Sequence, residues 1–488
     1  MTATLEKLTG IVGKENFSTD PEALEAYAYD QSYALPIKPW AIVKPKNVDD
    51  VQAIVNWANE TQTPLVPVSS GPPHFHGDTV PSAPGAVMVD MSGWKKIIKI
   101  DPRNRIAYIE AGVTYPELQA ELTKQGLRMT PPLMPRANKS IIASLLEREP
   151  TLISRLQWNA LDPLRCTEVI FGDGQKLITG DAGNWPSLEK GWSNLQSASG
   201  AAGPGQLDFY RIISAAQGSM GIVTWASVRV DTLPEPHKMF FVPGNKLEDL
   251  IDFTYRVLRF RYGDEVFIVN NLTLASMLGT EPDEIKALKD ELPPWAVIIG
   301  IGGRALLQEE KVAYMEKDIG EIAQGFALEL LPAVPGAKGL DLRDAIYGEP
   351  KEHYWKLGYK GAYRDIFFMT TVDKTPGFLK VMQQTAEDNN YPATDIGVYI
   401  QPVHQGASCH CEFILPFDEA NPKEAARMKE LFTQASEAML NAGAFYSRPY
   451  GIWAGLAYNR DAQTTTVLRK LKGVFDPNNV MNPGKLCF

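Results

Sequence analysis

Cysteine is scarce in this chain: Cys166, Cys409, Cys411 and Cys487 are the only four in 488 residues. That is too few for a disulfide framework, and Cys409 and Cys411, separated only by His410, lack the spacing of a zinc site. No apolar stretch is long enough to span a bilayer. No basic segment precedes an apolar run at the N-terminus either, because residues 1–18 alternate charged and apolar side chains. A positive excess is also missing. The formal net charge of −10 argues against nucleic acid and against anionic membranes as partners. Gly300-Ile301-Gly302-Gly303 lacks the spacing of a dinucleotide fingerprint. These absences leave a cytoplasmic, soluble protein without a metal centre as the expectation.

What is present is an ordinary globular composition, with 44% hydrophobic and 22% charged residues, in a chain long enough for two or more domains. The stretch 66–77, Val-Pro-Val-Ser-Ser-Gly-Pro-Pro-His-Phe-His-Gly, is the most informative. An amphipathic helix is predicted before it, over 47–61, with Val48, Val51, Ile54, Val55 and Ala58 at helical spacing. A short apolar strand at 64–68 leads into the loop, and a second at 86–90 follows it. Pro72 and Pro73 stiffen the loop, while Gly71 and Gly77 permit close approach, so its backbone N–H groups can meet an anion.

Further strands are predicted at 97–100 and 106–110, and a helix from Tyr115 to the glycine stop at Gly126. The run 167–179 reads as a hairpin about Gly172-Asp173-Gly174. Residues 231–237, with Pro234 and Pro236, read as a linker. Beyond it strands at 266–272, 295–301, 396–402 and 411–415 alternate with helices at 247–261, 306–325 and 422–442. That order fits an antiparallel sheet with helices on one face. The turn chemistry of 447–488 is that of the N-terminal part, which implies a return to the first domain.

The pieces at 69–77, 110–115, 146–148, 174–180, 218–224 and 476–485, in this order and spacing, resemble the vanillyl-alcohol oxidase and p-cresol methylhydroxylase family of FAD-linked oxidoreductases. The resemblance spans nearly the whole chain. It implies an α+β, two-domain flavoprotein: an FAD-binding domain of the p-cresol methylhydroxylase type over 1–232 and 447–488, and an antiparallel-sheet cap over 233–446. The FAD pyrophosphate is expected against the backbone of Ser70, Gly71, His74 and Gly77. Residues 137–144, including Asn138 and Ser140, are expected along the ribose and ring edge. Gly218, Gly221, Ile222 and Val223 are expected at the adenine end, with Asn482 and Lys485 near the flavin. The resemblance also places His410 where a cap residue of the family bonds covalently to the flavin, with Cys411 one residue away.

On the substrate side the chain departs from the pattern, in which two tyrosines and an arginine grip a phenolate. The first tyrosine falls at His76, the second at Ser447 with Tyr446 beside it, and the arginine at Arg448. The family's carboxylate falls at 157–159, where no acid stands, so Asn159 and Asp162 become the candidates. Tyr354, Tyr359 and Tyr363 are candidates for the cap side of the pocket, with core or loop packing the expected role of each. The implied function is hydride transfer from a small aromatic alcohol or alkylphenol to FAD. The alternatives are a 2-hydroxy-acid dehydrogenase and a flavin-carrying electron-relay subunit. A cytochrome or other redox protein as electron acceptor, and a homodimer or larger homo-oligomer, complete the expectations.

Overall fold

The computed structural model describes residues 2–155, 162–183, 185, 187–194, 197–203, 209–350 and 353–488. The amphipathic run forms the helix Val48–Thr61, and its N-cap Asn47 accepts a hydrogen bond from the Asp50 N–H. Its face of Val51, Ile54, Val55, Trp57 and Ala58 is buried with the strands Ala41–Val43, Leu65–Val68 and Val87–Asp90. Those three strands are parallel, with Val87–Asp90 in the middle and Phe17–Ser18 added antiparallel at one edge. They are short and apolar on both faces, as strands covered on both sides must be.

The second sheet is antiparallel, in the order Ile97–Asp101, Ile106–Glu110, Gly221–Arg229, Leu164–Phe171, Lys176–Ile178. The expected hairpin is there, with Gly174 turning at φ +82°. Because Gly221–Arg229 is central, the stretch 218–223 enters from the end of this sheet beside the loop that follows Leu65–Val68. The helix expected over 115–126 ends at Thr123 and is opened by a Thr114/Glu117 capping box.

The expected linker is more ordered than its prolines suggest. Asp231–Thr232 pairs with Leu127–Arg128, and His237–Gly244 already belongs to the next sheet. That sheet has six antiparallel strands in the order His237–Gly244, Trp295–Gly302, Val266–Asn270, Gly397–Val403, Ser408–Phe417, Ala362–Thr370. Glu248–Arg259, Gln308–Gln324, Thr375–Asp388 and Pro422–Asn441 pack on one face. Contrary to a one-faced arrangement, Asn271–Leu278, Pro282–Glu291 and Gly339–Tyr347 pack on the other. The strand expected to run to Leu272 stops at Asn270, whose side chain accepts from the Thr273 N–H and starts a helix.

Strand alternation sorts the residues of Ser408–Phe417. Cys409, Cys411, Phe413 and Leu415 enter the larger helix-covered core, while His410 and Glu412 point the other way. Residues 476–485 return to the N-terminal part: the Leu65 N–H donates to the Val480 carbonyl at 2.7 Å, and the Asn482 N–H donates to the Leu65 carbonyl at 2.8 Å. Among the described residues no helix is long and apolar enough to cross a membrane.

Candidate active site

A cleft of about 1630 Å³, counting its open mouth, lies between the loop after Leu65–Val68 and the Asp365/Glu412 part of the six-stranded sheet. One wall is poor in side chains: Pro67 to Ser70 on one side and Gly218, Gly221, Ile222 and Val223 on the other. Gly218 sits at φ +70°, and a Cβ there would come within 2.6 Å of Pro67 Cγ, so only glycine keeps this approach. His74 closes the wall. Burial, reinforced by the Arg136 charge, lowers its pKa from 6.5 to about 4, and its buried Nε2 has no hydrogen-bond partner.

The opposite wall carries the charge. Arg448 is 5% exposed; its Nη2 approaches His410 Nδ1 at 3.4 Å, and its guanidinium lies 4.0 Å from the centre of the Phe367 ring. Among the described residues no carboxylate comes within 4.0 Å of it. His410 Nε2 meets Glu412 Oε2 at 2.8 Å. Glu412 and Asp365 in turn share the ammonium of Lys356, with Asp365 at 2.9 Å. Burial raises the Glu412 carboxyl, but Lys356 and His410 outweigh it and hold that group well below its usual range. His410 is kept below its ordinary pKa by burial, against the pull of Glu412. Across the cleft Lys139 binds Glu147 at 2.6 Å, and Glu149 accepts from the Ser144 hydroxyl at 2.5 Å. Tyr354, Tyr363, Phe367, Tyr399 and Tyr450 make the remaining surface aromatic.

Several expected residues meet here: Ser70, His74, His76, Gly218, Gly221, Ile222, Val223 and Arg448 all line the cleft, as do Tyr354 and Tyr363. Others stand behind it. The Gly71 N–H is taken by the Asn138 carbonyl at 2.9 Å, and a Cβ on Gly71 would meet Asn138 Cβ, so this pair fixes the loop rather than facing a ligand. Ser140 caps the helix Ile141–Leu146 and donates to the Ala111 carbonyl. Gly77, at φ +77°, donates to Asp30. Asn482 donates to the carbonyls of Asp78 and Gln217, and Lys485 to those of Gly77 and Val80, so both staple the loop from outside the cleft.

The structure corrects the expectations for Tyr446, Asp162, His410 and Cys411. Tyr446 is packed against Trp453 and donates to the Ser436 carbonyl; Tyr450, four residues on, is the tyrosine that reaches the cleft. Asp162 accepts from the Leu164 N–H and the Tyr210 hydroxyl, which uses both its oxygens for structure away from the cleft. His410 is not on the cleft wall: Arg448 and Glu412 occupy its two nitrogens, the opposite of what attachment to a ring requires. Cys411 faces the helix-covered core. Tyr359 lies off the cleft, with its hydroxyl toward Asp395. Asn159 lies outside the described residues. Among the described residues the acids that reach the cleft are Asp78, Glu147, Glu149, Asp365 and Glu412; Glu147 falls within the 146–148 piece, and Asp365 and Glu412 had a signal in the alternation of their strands. Among the described residues no cluster of His, Cys, Asp or Glu could hold a metal ion.

Residues 39–176 match the profile of the FAD binding domain, and residues 295–486 that of the FAD linked oxidases, C-terminal domain. D-2-hydroxyglutarate dehydrogenase of Stutzerimonas stutzeri is 26% identical over 99% of this chain and 98% of its own length. Glycolate oxidase subunit GlcD of Bacillus subtilis is 22% identical over 99% and 96%. Substrate-bound p-cresol methylhydroxylase superposes with a TM-score of 0.80 at 17% identity, over 100% of this chain and 96% of that one. The 4-ethylphenol oxidase of Gulosibacter chungangensis also gives 0.80 at 17%, over 99% and 96%. The cleft suits an FAD: its side-chain-poor wall admits a flat, extended group, and His74 offers it a buried, unpartnered ring nitrogen. Cleft, profiles and full-length likeness agree with the resemblance in the sequence: the chain is an FAD-linked oxidoreductase with the two-domain fold of the p-cresol methylhydroxylase family.

Proposed function

We propose that the chain oxidises a small aromatic molecule, a phenol or benzylic alcohol that presents an anionic end to Arg448. The observation that supports this reading is the bare guanidinium. A charged group so deep in protein needs an anionic partner, and Arg448 faces the cleft with an imidazole and a phenyl ring in contact, the Glu149 charge reaching it only from beyond 4.0 Å. The aromatic wall of Tyr354, Tyr363, Phe367, Tyr399 and Tyr450 favours a flat substrate body. FAD, when bound, supplies the hydride acceptor; Ser70, His74 and the 218–223 stretch would hold it, within an FAD domain of residues 1–232 and 447–488 capped by 233–446.

The remaining duties fall on the chain. Arg448 fixes orientation and, by its charge, favours the ionised form of the substrate. Its N–H faces His410 Nδ1, so the proton of His410 sits on Nε2 toward Glu412. Held below its ordinary pKa by burial, His410 accepts the Arg448 N–H at Nδ1 and so fixes the direction of the guanidinium. The cap and the loop together exclude water from the ring system. In this reading His410 orients Arg448, and the flavin is held without a bond to it.

A 2-hydroxy-acid substrate is the second reading. It is favoured by the planar fork of Arg448, which suits a carboxylate, and by full-length relatives that are named D-2-hydroxyglutarate dehydrogenase and glycolate oxidase subunit. Anaerobic bleaching of the flavin by 4-alkylphenols, benzylic alcohols and 2-hydroxy acids separates the two. Fast bleaching by the aromatic set is expected, and bleaching confined to the hydroxy acids overturns the first reading. Bleaching by none of them, in protein that is reduced by dithionite, leaves the electron-relay role.

A further inference from the structure

His76 and Tyr450 stack with ring centres 4.6 Å apart and planes 18° from parallel. Both rings line the flavin cleft on one side and a second chamber of about 1280 Å³, counting its mouth, on the other. Phe75, Gln217 and Asp365 are likewise shared walls, so the stacked pair is a partition between neighbouring spaces. The second chamber is mainly apolar, with Ile37, Phe432, Ile452, Trp453 and Leu486, and Leu35 stands 81% exposed at its rim. Two cations line it: Lys485, whose ammonium is taken by the Gly77 and Val80 carbonyls, and Arg364, a guanidinium like that of the cleft. Arg364 is 8% exposed, donates through Nη1 to the Tyr363 carbonyl and lies 4.6 Å from the centre of the Tyr33 ring. Its Nε is buried without a hydrogen-bond partner, and among the described residues no carboxylate comes within 4.0 Å of it. The adjacent Asp365 is engaged by Lys356 instead.

We infer that this chamber is a second binding subsite for a small aromatic anion, occupied before the flavin cleft on the substrate's way in. Arg364 takes the anionic end, the apolar walls take the ring, and the stacked pair must part for the molecule to pass. A buried guanidinium without an acid and an apolar enclosure together select an amphipathic anion and select against neutral or dicationic molecules. The inference rests on the reading that the substrate is an organic anion.

Benzoate, which carries the ring and the charge but no oxidisable carbon, is the probe. Titrated into the holoenzyme by calorimetry and soaked into crystals, it is expected at two sites. Arg364→Met removes the outer site and leaves the perturbation of the flavin spectrum; Arg448→Met removes that perturbation and leaves the outer site. Leu35→Glu, at an exposed position that the core does not feel, weakens the outer site and lowers kcat/KM at unchanged kcat. A single benzoate site in the wild-type protein, or two whose affinities ignore both Arg364→Met and Leu35→Glu, overturns the subsite and leaves the role of Arg448 standing. An outer site that survives while Arg448→Met has no effect on the flavin spectrum upholds the subsite and sinks the proposed role of Arg448.

Discussion

Arg128 and Arg448 are both buried where the N-terminal part meets the six-stranded sheet, and they are handled in opposite ways. Arg128 donates to Glu265 at 2.9 Å and has Asp264 at 3.8 Å, and Glu265 also binds His237 and the Tyr347 hydroxyl. Arg448 has one ring nitrogen at 3.4 Å. Burial costs both side chains the same loss of water. At Arg128 the charge is answered internally by two carboxylates, although Nε and Nη2 find no hydrogen-bond partner, so the group is part of the structure. At Arg448 the compensation is left to something that enters. The difference separates a charge that holds the chain together from a charge that works.

The contrast can be broken most directly at Arg128. Arg128→Met removes the main countercharge of Glu265 and leaves it to His237 and Tyr347, and a stability loss of about 3–5 kcal/mol is expected in urea unfolding, with flavin chemistry unchanged. An unaltered unfolding midpoint would mean that the paired arginine is not structural. Arg448→Lys should do the reverse. It keeps the charge and loses the fork, so kcat/KM is expected to fall roughly 100-fold, or about 2.7 kcal/mol, with flavin content and unfolding midpoint intact. A lowered melting temperature with normal kinetics would put Arg448 in the class of Arg128.

The same opposition runs through the cofactor loop. Gly77 is paired, through its N–H to Asp30, and a Cβ there would sit at φ +77° and 2.9 Å from Ser32 Oγ. Gly77→Val is expected to cost about 2 kcal/mol and to release FAD from a soluble protein; normal flavin content would remove the loop from the cofactor site. His74 is the unpaired counterpart. Its pKa in the folded chain is about 4 against 6.5, so between those values the unfolded chain binds the extra proton. Stability is therefore expected to fall by about 3 kcal/mol as pH drops through that window. His74→Gln should flatten the slope in urea titrations across it, and an unchanged slope would show that His74 is not the group responsible.

Much of the scaffold was legible because it rests on local rules. The helix after Asn47, the hairpin about Gly174 and the alternating strand 408–417 are each specified by residues within one element. That Ser70, His74 and the 218–223 stretch share one cleft wall was legible for the same reason, while Gly71, Gly77, Asn482 and Lys485 turned out to hold the loop from behind. Substrate-side assignments fared worse, because they depend on which of several near residues faces inward. Tyr446 and Tyr450 differ by four positions, and only the packing of Trp453 against Tyr446 decides between them. Asp162 matched a family position by register, yet its oxygens are spent on Leu164 and Tyr210. The ladder Arg448, His410, Glu412, Lys356, Asp365 draws on four separate segments, and no spacing in the sequence joins them.

The staples of the cofactor loop have a consequence for how the protein is made. Asn482 grips the Asp78 carbonyl across 404 positions of sequence, and Lys485 grips Gly77 across 408. A ribosome adding about 5–20 residues per second needs roughly 20–80 s to cover that distance. The loop thus leaves the exit tunnel long before the side chains that fix it exist, and nascent protein should take up flavin only after the segment near residue 485 has emerged. Holoenzyme formation in the cell would then be timed by translation.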